Sequence, residues 1–379
     1  MSEAVGVVGV VMPKWGLSMT EGEIVEWLVA EGDTVIVGDE LAEVETDKIT
    51  GEVEATDAGV VRRIVAEAGS RHRVKALLVV LADPAVDDAT IDQFIVDFPE
   101  PPEVEESDAA ASAYETMAVG DLQIRYSVLG EGPAVILLHG FGGDLDNWLF
   151  TMGPLAEHHT VVAIDLPGHG QSSLAIPDPS ADGLARVAWA VLDGLEINDV
   201  DVVGHSMGGA VAARMAAQQP DRVRSVTGLA PAGLGPEINQ DYIDGYVAAQ
   251  SRREMKPVAA VLFADPSAVT RAMVEDLLRY KRLDGVPALL GGLSDVWFVD
   301  GAQAEQAQVA DELAALTKPT LIIWGAQDRV IPASHAESVK AFAEVHVLDG
   351  AGHLVQMEQA GEVNRLLVAH VGSGAATTP

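Results

Sequence analysis

The sequence predicts two folded domains of different class: an all-β flattened sandwich over residues 1–82, then an α/β domain over residues 113–373 with an inserted helical cap. Three observations predict it. Short stretches of β-type alternation, cut by Gly and Gly-Asp pairs, repeat with a spacing of 36 to 37 residues before residue 82. Residues 83–112 hold ten acids, four Pro and no Lys or Arg, a composition that separates domains. After them, apolar runs of strand length alternate with helical stretches, the rhythm of a mostly parallel sheet.

In the first segment Gly22-Glu23-Ile24, Val29-Ala30-Glu31-Gly32 and Leu41-Ala42-Glu43-Val44 are answered by Gly59-Val60-Val61, Val65-Ala66-Glu67 and Leu77-Leu78-Val79-Val80. Two similar four-stranded halves would face each other. The stretch Val44-Glu45-Thr46-Asp47-Lys48-Ile49 then falls at the exposed hairpin joining them. Asp47 can bond nearby backbone amides and fix that turn, which presents Lys48 to a modifying enzyme. The plain alternative for Lys48 is one more surface lysine.

Residues 83–112 read as an extended, self-repelling linker. Ile91, Phe94, Ile95, Val96 and Phe98 keep open a short amphipathic helix docked on a neighbouring domain.

In the second domain Val135-Ile136-Leu137-Leu138, Val161-Val162-Ala163-Ile164, Val200 to Val203 and Leu321-Ile322-Ile323-Trp324 suit buried parallel strands. A helix is expected over Ala210 to Gln219. Residues about 236–312 interrupt the rhythm with helix-like sequence and form the cap. Residues 374–379 are expected to be a disordered tail.

Asp201-Val202-Val203-Gly204-His205-Ser206-Met207-Gly208-Gly209 reads as strand, sharp turn and helix, with G-x-S-x-G at its centre. Asp328 follows a strand, and His353 sits in Gly350-Ala351-Gly352-His353. The roles are physical: Ser206 is the nucleophile, His353 takes and returns its proton, and Asp328 fixes the imidazole tautomer. Another carboxylate, such as one near the end of the preceding strand, is the competing choice for the third role. Leu138-His139-Gly140-Phe141-Gly142-Gly143 follows an early strand, so the N–H groups of Phe141 and Met207 are the expected oxyanion hole. His139 and His169 are expected to shape loops, and His205 to pack beside the turn.

Bulk composition narrows the partners. The formal net charge is −35, which argues against nucleic acid or an anionic membrane. No Cys is present, so disulfides and Cys-ligated metals are excluded, no metal is expected, and any thiol must be imported. The N-terminal apolar stretch lacks a basic segment before it, and no apolar run reaches spanning length. A cytoplasmic protein is expected.

Residues 5–82 resemble lipoyl domains. The likeness rests on residues 12–22, on Glu31-Gly32-Asp33 and Gly38-Asp39, and on Glu43 to Lys48 with Gly59. It implies covalent lipoate on Lys48, attached by a lipoate ligase. Residues 114–373 resemble the α/β-hydrolase superfamily through the Ser206, Asp328, His353 order, the oxyanion segment and Asp165-Leu166-Pro167-Gly168-His169-Gly170-Gln171-Ser172. The two domains in this order are similar to the E2 components of acetoin dehydrogenase systems. That resemblance implies a dihydrolipoyllysine-residue acetyltransferase that passes acetyl from lipoyl-Lys48 to coenzyme A. It also implies a thiamine-dependent E1-type component that loads the arm and a flavin-dependent E3-type component that reoxidises it. The usual E2 signature H-x-x-x-D-G is absent.

Coenzyme A is a polyanion and needs local cations. Residues 252–282 hold seven bases against four acids, so Arg252, Arg253, Arg279 and Arg282 either contact its phosphates or form solvated helix faces. Two rival functions stay open at this stage: a thioesterase or carboxylesterase fused to a lipoyl carrier, and a non-catalytic carrier scaffold. Homo-oligomerisation is left open.

Overall fold

The computed structural model describes residues 6–13, 19, 21–46, 50–99, 101 and 114–372. The chain divides into two units, Met1–Ala111 and Ser112–Pro379.

In the first unit the alternating segments become β1 (Val7–Val11), β2 (Glu21–Trp27), β3 (Thr34–Val35), β4 (Glu40–Glu45), β5 (Thr50–Glu54), β6 (Gly59–Ile64), β7 (Arg71–Arg73) and β8 (Leu77–Ala82). They pair into two four-stranded sheets, β5-β4-β2-β7 and β1-β8-β6-β3. The internal repeat is a pseudo-symmetry of these sheets: β4 and β8 begin at 40 and 77, β3 and β7 at 34 and 71, and the members of each pair hold equivalent places in opposite sheets. Ile24, Leu41, Val44, Val61, Leu78 and Leu81 point inward and are buried in one cluster, with register shifts at Leu41 in β4 and Leu78 in β8 bringing residues three apart to the same face. β4 and β5 close with Glu45 opposite Thr50. Lys48, expected between them, lies outside the described residues.

Part of the expected linker is folded. Residues 88–97 form helix α1 (Asp88–Asp97), with Asp87 as N-cap accepting the Thr90 N–H. Ile91 is fully buried against Val7, Leu77, Val80 and Ala82, with Phe94, Ile95 and Phe98 packed alongside. Val96, expected on the apolar face, points to solvent. Apolar burial outweighs like-charge repulsion here, and Arg62 and Arg63 neutralise Asp88 and Asp92 at 2.9 Å each. Residues 100 and 102–113 are outside the described residues, as is the expected tail at 374–379.

The second unit is built on an eight-stranded sheet. Its members are β9 (Glu115–Val119), β10 (Leu122–Leu129), β11 (Ala134–Leu138), β12 (Thr160–Ile164), β13 (Val200–His205), β14 (Val223–Leu229), β17 (Thr320–Gly325) and β18 (Glu344–Leu348). A small antiparallel pair, β15 (Phe298–Val299) and β16 (Ala302–Gln303), stands apart. The sheet order is β18-β17-β14-β13-β11-β12-β10-β9. β10 runs antiparallel to both its neighbours, β9 and β12, and the other pairings are parallel. β11, β13 and β17 are buried at every residue, as strands covered on both faces require.

Helices α2 (Leu149–Ala156), α3 (Ala181–Gly194) and α4 (Met207–Gln218) link the central strands. Between β14 and β17 lie α5 (Gln240–Ala248), α6 (Arg252–Ala259), α7 (Arg271–Lys281), α8 (Val286–Trp297) and α9 (Ala310–Ala315). After β18 come α10 (Val355–Glu358) and α11 (Ala360–His370). α5 to α8 share a core of their own around Tyr246, Met255, Phe263, Leu278 and Leu290, and Leu354 beside His353 joins it. The cap is thus a folded layer seated on the strand ends. α9 straddles the expected cap limit at 312 but packs on α4, because Leu313 buries in the main core.

Candidate active site

Ser206 stands alone between the end of β13 and the start of α4, with φ +53° and ψ −120°. A non-glycine residue in that region costs about 1–3 kcal/mol and persists only where its surroundings enforce it. They do. The Ser206 N–H donates to Leu229 O at 3.0 Å, and its carbonyl accepts from Gly209 N and Ala232 N at 2.9 Å each. The flanking glycines answer to close approach: a Cβ on Gly204 would lie 2.0 Å from Gly208 O, and one on Gly208 would lie 2.1 Å from Leu138 O. The strained turn holds the hydroxyl at the carboxyl end of the sheet.

His353 and Asp328 meet there. The His353 Nδ1–H donates to Asp328 Oδ2 at 2.8 Å, and both side chains are almost wholly buried. Asp328 Oδ1 accepts from Val330 N at 2.8 Å and Ile331 N at 3.0 Å. Burial alone would raise the carboxyl, but the imidazole and these N–H groups outweigh it and hold Asp328 below the ordinary carboxylate range. Its remaining lone pair on Oδ2 takes the Trp324 indole N–H at 2.9 Å, shared with Ile331 O at 3.2 Å.

His353 also touches the elbow. The His205 Nε2–H donates to His353 O at 2.9 Å, and the two rings lie 4.8 Å apart. Burial, then the neighbouring His353, push His205 down to about 3, so it is a neutral spacer. The main chain of the histidine loop is tied to the cap. His353 N donates to Leu262 O at 2.7 Å, and the Glu358 carboxylate accepts from Gly352 N and Ala264 N, each at 2.7 Å.

Gly140 lies against the elbow, its would-be Cβ 3.0 Å from Ser206 Cβ. This places the Phe141 segment beside the first turn of α4, where Met207 sits. Among the described residues no protein acceptor takes the Phe141 or Met207 N–H, as an oxyanion hole needs. The Phe141 ring is held between Tyr246 and Phe298, centroids 5.9 and 5.8 Å away. The Tyr246 hydroxyl donates to Gly142 O at 2.8 Å, so a cap side chain fixes the same loop. His139 accepts the Leu166 N–H at 3.0 Å and stacks edge-on with His169 at 5.0 Å; burial pushes them down to about 4 and about 3. Both act as neutral loop supports.

The expected cationic residues lie on α6 and α7 and in the turn after α7, all exposed. Arg252 pairs with Glu275 at 2.9 Å and Arg279 with Asp276 at 2.8 Å. Arg253 and Arg282 form no ion pair among the described residues. Trp324, Glu358 and Tyr246 were missed from sequence. Each reads as an ordinary core or helix residue, and only the four-residue spacing of Trp324 before Asp328 could have drawn attention to one of them.

Comparison with known proteins finds a family match for each of two stretches of the chain. Residues 133–360 match the family described as alpha/beta hydrolase fold, and residues 8–81 match the Biotin_lipoyl family, described as biotin-requiring enzyme. The dihydrolipoyllysine-residue acetyltransferase component of the acetoin cleaving system of Cupriavidus necator is 48% identical, the match covering 97% of this chain and 98% of that one. Its counterpart from Pseudomonas putida is 44% identical over 94% and 96%. Among solved structures, a meta-cleavage product hydrolase from Pseudomonas fluorescens superposes with a TM-score of 0.62 at 24% identity, covering 69% of this chain and 98% of that one. That last likeness is one of fold.

Proposed function

The chain belongs to the family of dihydrolipoyllysine-residue acetyltransferase components of acetoin-cleaving systems, and from that membership we propose how its own residues move the acetyl group. It is a lipoyl-dependent acyltransferase with covalent lipoate as its cofactor and coenzyme A as its acceptor. When bound, lipoate supplies the thiol that carries acetyl as a thioester. Lys48 is the residue that would hold it. The fit rests on two observations: among the described residues β5 is an edge strand of its sheet, and the chain has no thiol of its own.

Transfer at the second unit then runs as two displacements. His353 Nε2 takes the Ser206 hydroxyl proton while Oγ bonds to the acetyl carbon. The Phe141 and Met207 N–H groups face the oxyanion. The C–S bond breaks, and His353 returns the proton to the departing sulfur. His353 next takes the coenzyme A thiol proton. The sulfur bonds to the acetyl carbon, the ester C–O bond breaks, and Ser206 recovers its proton. Asp328 stays ionised and holds the imidazole tautomer in both steps.

The observation that carries this reading is the Asp328–His353 pair set against a strained Ser206 under a hydrogen-bonded cap. Its test is product partition from S-acetyl-dihydrolipoamide and coenzyme A, wild type against Ser206→Ala. Acetyl-coenzyme A that disappears with the substitution supports it. Free acetate regardless of coenzyme A makes the protein a hydrolase, and transfer undiminished in Ser206→Ala removes Ser206 from the mechanism.

Coenzyme A phosphates are assigned to Arg253 and Arg282, whose charges are not offset by an ion pair among the described residues, with Arg252 and Arg279 secondary. Reversing Arg282 to Glu should raise the KM for coenzyme A several-fold at unchanged kcat; an unchanged KM would remove it. The partners are a thiamine-dependent component that loads the arm, a flavin-dependent component that reoxidises it, and a lipoate ligase. The reaction is assigned to the cytoplasm, where coenzyme A is available.

A further inference from the structure

Asp328 is approached by four donors, and three of them are expected for a triad carboxylate: two backbone N–H groups on Oδ1 and the His353 N–H on Oδ2. The fourth is a side chain from inside the sheet. Trp324 is the penultimate residue of β17 and is fully buried. Its Nε1–H lies 2.9 Å from Oδ2, the same oxygen that holds His353. We propose that Trp324 is a positioning residue of the triad: its indole N–H fixes the direction of Oδ2 and withdraws negative charge from the oxygen that faces the imidazole. The inference rests on the Ser206–His353–Asp328 reading above.

The geometry makes the two effects separable from packing. Oδ1 is locked by the turn after β17, so the carboxylate could still rock about that anchor; the indole closes this freedom from the far side. The second acceptor of the indole, Ile331 O at 3.2 Å, holds the ring in place without His353. A neutral donor on Oδ2 draws electron density from it, and a hydrogen bond to an ionised acceptor is among the stronger kinds. Less charge on Oδ2 means weaker attraction for the imidazolium. The indole thus limits how strongly His353 holds a proton, which matters for a base that must give its proton up twice per turnover.

The other titratable or charged groups around these side chains are His205 on β13, Tyr242 on α5, Glu358 on α10, Arg329 after β17, and His335, which meets the Trp324 ring edge-on at 6.3 Å and pairs with Glu237 at 2.6 Å. None of them bonds to the indole. Removal of the N–H alone therefore reads the Trp324–Asp328 contact.

The experiment replaces Trp324 with 3-benzothienylalanine in the full-length lipoylated chain. This residue keeps the two-ring shape and puts sulfur where the N–H was. Trp324→Phe is the encoded counterpart, and the isostere carries the test should Trp324→Phe fail to fold. Two readouts are taken: the pH profile of kcat/KM for acetyl transfer, and the NMR titration of His353, identified by its loss in His353→Gln. The expected result is an acidic limb and a His353 titration both displaced upward by ~0.5 pH unit, a roughly threefold change in the protonation equilibrium. Merely structural damage lowers activity at all pH values without moving either curve, and displacement by less than about 0.1 unit overturns the inference. Ser206→Ala run in parallel separates the two levels. If it abolishes transfer and the curves stay put, only the role of Trp324 falls. If it leaves transfer intact, the triad reading falls and takes this inference with it.

Discussion

Replacing Asp328 with Asn removes one charge and turns one acceptor into a donor at a carboxylate that has four donors around it. In one amide orientation the oxygen keeps Val330 N and Ile331 N, at 2.8 and 3.0 Å, and the NH2 faces the Trp324 indole and His353. The reverse orientation turns the NH2 toward two fixed backbone N–H groups, at about 1–3 kcal/mol for each buried donor left unpaired. The first is therefore adopted. The imidazole can answer it only by moving its proton to Nε2, where it cannot accept one from Ser206. The Trp324 N–H falls back on Ile331 O at 3.2 Å. The expected loss in transfer rate is about 10⁴-fold, or ~5.5 kcal/mol in the barrier, with stability lowered by only ~1–3 kcal/mol. Single-turnover acetyl transfer and urea unfolding on the same preparation measure both. A rate within about tenfold of wild type would refute the tautomer reasoning. So would a stability loss large enough to account for the lost rate by unfolding.

Two further outcomes follow from burial and charge. Ile91→Ala empties a fully buried site beneath α1 and should cost the first unit ~2–4 kcal/mol. Transfer from free S-acetyl-dihydrolipoamide to coenzyme A should stay at the wild-type rate; a matching loss in unfolding of the second unit would contradict the assignment of α1 to the first. Lys281 donates to the carbonyls of Tyr246, Val247 and Ala249, and burial pushes its amine down to about 8. The unfolded chain holds that proton up to its ordinary value of 10.5, so between pH 8 and 10.5 the unfolded state binds more protons and stability rises with pH. The unfolding free energy of wild type relative to Lys281→Met should increase across that window, and a flat difference in urea titrations would refute it.

Legibility from sequence followed the range of the interactions. Strands β11, β12 and β17 are visible because burial on both faces leaves long apolar runs, and β13 is visible despite its buried Asp201 because the elbow motif follows it directly. β9 is not, because its exposed edge residues Glu115 and Thr116 carry no such run. The elbow is legible because its glycines fall in one short motif: Gly204 is demanded by the approach of Gly208 four residues on, although Gly208 itself answers to Leu138 O on the distant strand β11. Helix α1 was obscured because its acids read as mutual repulsion, and the arginines that neutralise two of them lie 26 and 29 residues away. Trp324 was obscured for a different reason. As a buried strand residue its apolar ring explains its presence, and only the placed indole nitrogen shows a second use.

A serine-nucleophile fold makes a transferase only if the acyl-enzyme waits for a thiol and not for water, which is present at far higher concentration. Chemistry at Ser206 cannot discriminate, since the same base activates either nucleophile. Exclusion must come from what covers the site. The cap here is bonded to both loops of the proposed site: to the Phe141 loop by the Tyr246 hydroxyl on Gly142 O, and to the histidine loop by Leu262 O on His353 N–H. Glu358 adds a carboxylate shared between Gly352 N and Ala264 N. Lifting the cap would break these bonds and loosen the loops that hold His353 and the Phe141 N–H. On the proposed mechanism, a site opened to bulk water would also have its base and oxyanion donors out of register, so the cap would guard against hydrolysis by the same contacts that complete the site.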